Sequence, residues 1–85
     1  MKDLEYDIIN ELYFVTAFRD LAGNLDLPDT DLSANLEDLV QKKYIKCFYP
    51  DPDTEIEYNV EAFFQDCRNY YFLATKEGLL AHNSR

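Results

Sequence analysis

The stretch from Pro28 to Tyr49 constrains the fold most, because its apolar residues change period halfway along. Leu32, Leu36, Leu39 and Val40 recur at i, i+4, i+7 and i+8, the spacing of one helix face. Tyr44-Ile45-Lys46-Cys47-Phe48-Tyr49 follows with no linker between, rich in the β-branched and aromatic residues that favour a strand, and Pro50 stops it. Pro28 suits the first turn of the helix. Asp29 and Asp31 lie near its amino end and Lys42 and Lys43 near its carboxyl end, so both ends complement the helix dipole. A helix over 28–43 and a strand over 44–49 are expected, which makes the chain α+β.

The flanking segments extend this pattern. Leu4, Ile8, Ile9 and Leu12 have helical spacing, with Asp3, Glu5 and Asp7 in the opening turn, and predict a helix over 3–14. Thr16 reads as the N-cap of a short helix over 16–23 in which Phe18, Leu21 and Ala22 share a face, and Gly23-Asn24 as its left-handed stop. Beyond Pro50, the run Pro50-Asp51-Pro52-Asp53-Thr54 is turn chemistry. A second strand over 70–74 is expected to return beside the first. Thr75 then caps a last helix over 75–82 that carries Leu79 and Leu80. Two local readings stay open between the strands: Glu55 to Val60 extends a strand, and Glu61 to Cys67 forms a short helix using Phe63 and Phe64.

Eighty-five residues make a single domain, 1–85, and 47% hydrophobic content is enough to fold without a metal or disulfide framework. Cys47 and Cys67 are too few and too far apart for a zinc site, and they read as small core residues. A bridge between them requires Cys67 to lie beside the strand carrying Cys47. No run of about 18 apolar residues is present to span a bilayer. The opening MKDLEYD lacks the basic stretch and apolar core of a signal peptide, so the expected location is cytoplasmic.

The order helix, short helix, turn, longer helix, strand, turn, strand, helix resembles the winged helix-turn-helix superfamily, of the kind found in small bacterial regulators such as the MarR and PadR groups. The residues that carry the likeness are Phe18-Arg19-Asp20-Leu21-Ala22, the turn from Leu25 to Pro28, Leu36-Glu37-Asp38-Leu39-Val40-Gln41-Lys42-Lys43-Tyr44-Ile45, and Leu73-Ala74-Thr75-Lys76-Glu77-Gly78. Together they reach over about three quarters of the chain. The resemblance implies a three-helix core, a β-hairpin wing with an insertion, and a C-terminal helix. Two departures stand out. Lys43 occupies a position where many relatives have glycine, so the helix is expected to end without a Schellman glycine. Residues 50–69 are longer than a simple wing.

Catalysis finds little material here. His82 is the one histidine, close to the end of the sequence, and reads as a solvent-exposed side chain. Asp51, Asp53, Glu55 and Glu57 alternate like the start of a calcium loop, yet position 6 is Ile56 rather than glycine and position 12 is Ala62 rather than glutamate. A solvated acidic loop is the better reading. Gly23 and Gly78 stand alone, so there is no phosphate-binding glycine loop. No enzyme activity, metal, cofactor or small-molecule ligand is expected.

Two readings of function remain. The resemblance implies that the helix over 28–43 enters the DNA major groove, with Thr30, Ser33 and Asn35 as candidate base contacts and Lys42, Lys43 and Lys46 as the one basic cluster. Charge opposes this. Seventeen acids against eight bases give a net charge of −9, and residues 3 to 38 hold ten acids with Arg19 the sole base. Affinity for DNA comes chiefly from neutralised phosphates. The competing reading is a protein-interaction module, since thirteen aromatics are many for one small core. Adjacent strand residues face opposite sides of a sheet, so Phe48 and Tyr49, or Tyr71 and Phe72, do not share one core. Phe48, Tyr49, Tyr58, Phe63, Phe64, Tyr71 and Phe72 are therefore the candidate protein interface, as a homodimer seam or a docking site. Phe63 and Phe64 folding back over the outer sheet face is the alternative that needs no partner. Protein contacts in a regulatory complex are the preferred expectation, and a DNA-binding transcriptional regulator is the alternative.

Overall fold

A computed structural model describes residues 3–84. The elements run α1 (Asp3–Glu11), β1 (Thr16–Ala17), α2 (Phe18–Leu25), α3 (Asp29–Gln41), β2 (Ile45–Phe48), β3 (Glu55–Ile56), α4 (Phe63–Asp66), a 3-10 turn (Cys67–Asn69), β4 (Tyr71–Ala74) and α5 (Lys76–Asn83). This is an α+β fold, with a four-stranded antiparallel sheet in the order β1-β4-β2-β3.

The register decides which side chains share a core. Ile45 pairs with Ala74, Cys47 with Phe72, and Phe72 in turn with Thr16. Ile45, Cys47, Phe72 and Ala74 are all buried and join Ile8, Ile9 and Leu12 of the first helical segment, Leu21 of α2, and Leu32, Leu36 and Leu39 of α3. The apolar stripes of the three helices thus close on the inner face of the sheet. Lys46, Phe48, Tyr71 and Leu73 alternate onto the other face.

Helix boundaries depart from the sequence expectations where tertiary hydrogen bonds compete. The first helix stops at Glu11 rather than at 14, because the Leu12 N–H makes a tight bond to the Ile9 carbonyl (2.9 Å) while the Leu12 carbonyl accepts from Ala74 of the sheet (3.0 Å). Thr16 does not cap α2. It lies in edge strand β1, where its hydroxyl donates to the Phe14 and Glu11 carbonyls at 2.9 and 3.2 Å. Gly23 and Asn24 sit inside α2, and Asp26 takes the left-handed conformation at φ 53° instead.

Both central helices end in the same way. The Leu27 N–H reaches back to the Ala22 carbonyl and Asp26 to Gly23, as Tyr44 does to Leu39 and Lys43 to Val40. These are the paired 6→1 and 5→2 bonds of the Schellman motif. As the sequence indicated, no glycine supplies the turn after α3; Lys43 itself sits at φ 64°. Left-handed backbone at a non-glycine residue costs about 1–2 kcal/mol, which the two bonds and the burial of Ile45 beyond them offset.

The Schellman turn after α3 is the seat of α5. Thr75 N–H donates to the Tyr44 carbonyl (2.9 Å), the Thr75 hydroxyl donates to the Lys43 carbonyl (2.7 Å), and the same oxygen accepts from Gly78 N–H (3.1 Å). Thr75 thus caps α5 as expected and also anchors it. Leu79 packs on the core, whereas Leu80 is exposed.

His82 corrects an expectation. It is 7% exposed rather than solvated, because α5 lies against α1 and carries its last turn over that helix. Its ring stacks on Tyr6 (centroids 4.1 Å apart, planes 15° from parallel) and meets Tyr13 edge-on, with Nδ1 3.3 Å from the Tyr13 hydroxyl.

Candidate functional site: the third helix and the segment that packs along it

Among the residues of α3, Asp29, Ser33, Glu37 and Gln41 recur every fourth position and form one row along the helix. Each of the four is engaged by the insertion between β3 and β4. Arg68 Nε donates to Asp29 Oδ2 (3.1 Å). Ser33 Oγ lies 3.3 Å from Cys67 Sγ in a buried contact. The Tyr58 hydroxyl donates to Glu37 Oε2 (2.9 Å) and accepts from Gln41 Nε2 (3.0 Å). Residues 58–68 therefore lie along the full length of this helix.

Phe63 fixes the insertion from below. It is 1% exposed, and its ring meets those of Tyr58, Tyr70, Phe72 and Phe64 at centroid distances of 5.6, 6.2, 6.4 and 6.4 Å. Since Phe72 belongs to the inner face, Phe63 covers that face and not the outer one that the sequence left open for it. The cluster surfaces at its ends: Tyr49, 5.7 Å from Tyr70, is 45% exposed, and Phe64 is 49% exposed.

Of the seven aromatics singled out from sequence, Phe63 and Phe72 are thus core residues. Phe48 is buried too, but on the outer face, with the Lys46 ammonium 5.9 Å from its ring centre. Tyr58 and Tyr71 are half-buried, and Tyr49 and Phe64 offer the most surface.

The candidate DNA contacts do not form one free surface. Ser33 is buried, and Asn35 turns its amide back to the Asp31 carbonyl (2.8 Å). Thr30 is exposed, as are Asp29, Asp31 and Asp38 of the same helix. Lys42 Nζ sits 3.1 and 3.2 Å from the two oxygens of Glu5, whose carboxylate is wholly buried at the base of α1. A buried carboxylate requires such a partner, so Lys42 is part of the scaffold. Lys46 lies 3.6 Å from Glu55 across the sheet. Lys43 is exposed at its left-handed turn.

Neither cysteine is disulfide-bonded. Burial pushes the Cys47 thiol up to about 12, with the nearby Cys67 adding to the effect, and burial likewise raises Cys67. Such thiols pack and do not attack. In the acidic loop, Asp51 Oδ1 accepts from Asp53 N–H and from the Thr54 hydroxyl, both at 2.9 Å, so this carboxylate serves the turn itself. Among the described residues no group of three or more His, Cys, Asp or Glu is arranged to hold a metal ion, and no helix is long and apolar enough to cross a membrane.

The pairing of the row on α3 with Tyr58, Cys67 and Arg68 was missed from sequence, where Tyr58 stood as an interface aromatic, Ser33 as a base contact and Cys67 as a core residue. The available signal was the four-residue spacing of polar side chains beside the apolar stripe; on sequence alone, Ser33 of that row was a candidate base contact. Comparison with protein-family models, curated proteins and solved structures gives no match.

Proposed function

We propose that this chain is a winged helix-turn-helix domain with no catalytic role, acting through protein contacts as a component of a regulatory complex. The architectural part is supported by the order α1, β1, α2, α3, β2, β4, with β1 joining the far side of the β2–β4 hairpin, and with α5 appended. In this reading β2 and β4 are the wing strands and residues 49–70 are its enlargement.

The observation that carries the functional part is the insertion lying along α3. In a DNA reader that helix must enter a groove about 12 Å wide, so its flank has to be free. Here the row Asp29, Ser33, Glu37 and Gln41 is occupied by Tyr58, Cys67 and Arg68. The face still open presents Thr30, Asp31, Ala34 and Asp38, whose carboxylates repel phosphate. Phe64 of the same insertion and Tyr49 just beyond β2 are exposed, residue types favoured in the buried centre of protein interfaces.

Affinity capture from the native host tests this, with the wild-type chain and a Tyr49→Ser/Phe64→Ser double variant whose melting is checked by circular dichroism. Wild type retains a protein partner, and the folded variant loses it. Retention of nucleic acid in place of protein, or undiminished retention by the variant, overturns the proposal.

A further inference from the structure

The two arginines among the described residues, Arg19 and Arg68, stand 49 positions apart in sequence yet line one cleft of about 480 Å³. It opens between the first turn of α2 and the 3-10 turn, with Phe18, Ala22, Tyr70 and Tyr71 among its walls. Arg68 is already held in place, since its Nε donates to Asp29 Oδ2 at 3.1 Å. That bond uses one edge of the guanidinium and leaves the terminal amino groups of the fork as further donors. Arg19 is exposed and has no ion pair among the described residues. In a chain of net charge −9, this is a concave surface where two cations and one carboxylate, Asp29, meet apolar and aromatic walls.

We propose that this cleft receives a carboxylate-bearing segment of a partner protein: one Asp or Glu side chain held by Arg19 and Arg68, with a neighbouring apolar side chain against Phe18, Ala22 and Tyr70. With Asp29 already paired to Arg68, the two guanidiniums leave one positive charge over, which a single carboxylate matches, and their planar forks suit its two oxygens. A polyanion such as nucleic acid fits poorly, because its successive phosphates meet the Asp29 carboxylate in the cleft wall and the exposed acids Asp20 and Asp66, which lie next to Arg19 and two residues before Arg68 in sequence. The inference deepens the protein-contact reading and rests on it.

The test uses the full chain labelled with nitrogen-15 and titrated with an acetylated leucine-glutamate-leucine amide peptide at low ionic strength. Saturable shifts are expected at the backbone amides of residues 18–22 and 68–71, absent with the glutamine counterpart of the peptide. Arg19→Gln weakens the binding by about tenfold or more, as loss of a charge-assisted hydrogen bond requires. Arg68→Gln acts in the same direction; should it loosen the Asp29 contact and disturb the fold, Arg19→Gln alone decides. No saturable shift, equal shifts with the glutamine peptide, equal shifts with inorganic phosphate, or binding indifferent to Arg19→Gln each overturns the assignment. Capture that depends on Tyr49 and Phe64 is a separate readout, so failure at the cleft is distinguishable from failure of the protein-contact reading.

Discussion

The two glycines respond oppositely to the same substitution. A Cβ built on Gly78 lies 2.0 Å from the Tyr44 carbonyl oxygen and 2.9 Å from its carbon, where side-chain carbons do not approach within 3.0 Å. Relief requires α5 to retreat by about 1 Å or more, the difference between those limits. The carbonyl has no freedom to turn aside, since it accepts from Thr75 N–H, and Thr75 also holds the Lys43 carbonyl. Overpacking costs about 1–3 kcal/mol and one strained or broken hydrogen bond about 1 kcal/mol more, against about 1 kcal/mol that alanine gains over glycine in a helix. Gly78→Ala therefore destabilises by about 1–3 kcal/mol. At Gly23 an added Cβ meets nothing within 4 Å and φ is not positive, so Gly23→Ala stabilises by about 0.5–1 kcal/mol. For a domain of this size the two variants should melt on the order of 10–20 °C apart. Urea and thermal unfolding followed by circular dichroism measure the gap. A Gly78→Ala protein as stable as Gly23→Ala would refute the contact between α5 and the turn at Tyr44.

Three further outcomes follow from the same geometry. Lys43→Gly should raise stability by roughly 0.5–1 kcal/mol in urea titration, because glycine adopts the left-handed turn without the Cβ clash; destabilisation would contradict the Schellman assignment. The Cys47 thiol ionises near its ordinary 9.0 in the unfolded chain but only at about 12 in the fold, so its contribution is complete below pH 9 and is lost as pH rises towards 12. Wild type should then lose about 1.4 kcal/mol per pH unit in that window relative to Cys47→Ala, and parallel pH profiles would count against it. Lys42→Ala should cost on the order of 1–3 kcal/mol by weakening what holds the buried Glu5 carboxylate, whereas Lys76→Ala at an exposed site should change stability by less than about 0.5 kcal/mol.

What could be read in advance was what depends on local period. Leu32, Leu36, Leu39 and Val40 are all buried, and the pairing of residues 45–48 with 71–74 follows from two aromatic runs bounded by turns. The Thr75-Lys76-Glu77-Gly78 run was legible as a helix start, and the structure adds why its glycine is needed: the Tyr44 carbonyl occupies the space of a side chain. What escaped depends on contacts distant in sequence. Thr16 has the chemistry of an N-cap, but pairing with Phe72 wins. His82 looked solvated because nothing local shows α1 beneath it. Ser33 looked like a base contact because its neighbour Cys67 is 34 residues away. At the candidate site, Tyr49 and Phe64 were legible as surplus aromatics, while the use of Tyr58, Cys67 and Arg68 to cover α3 was not.

The central claim is that α3, flanked by its own insertion and faced with acids, does not read DNA. Fluorescence anisotropy of a labelled mixed-sequence duplex, titrated with the protein at low ionic strength, tests it most directly. No saturable binding is expected at micromolar protein, since few phosphates find a free cation on this surface. Saturable, salt-sensitive binding that weakens on Thr30→Ala or Asn35→Ala would contradict the claim and return the domain to the DNA readers.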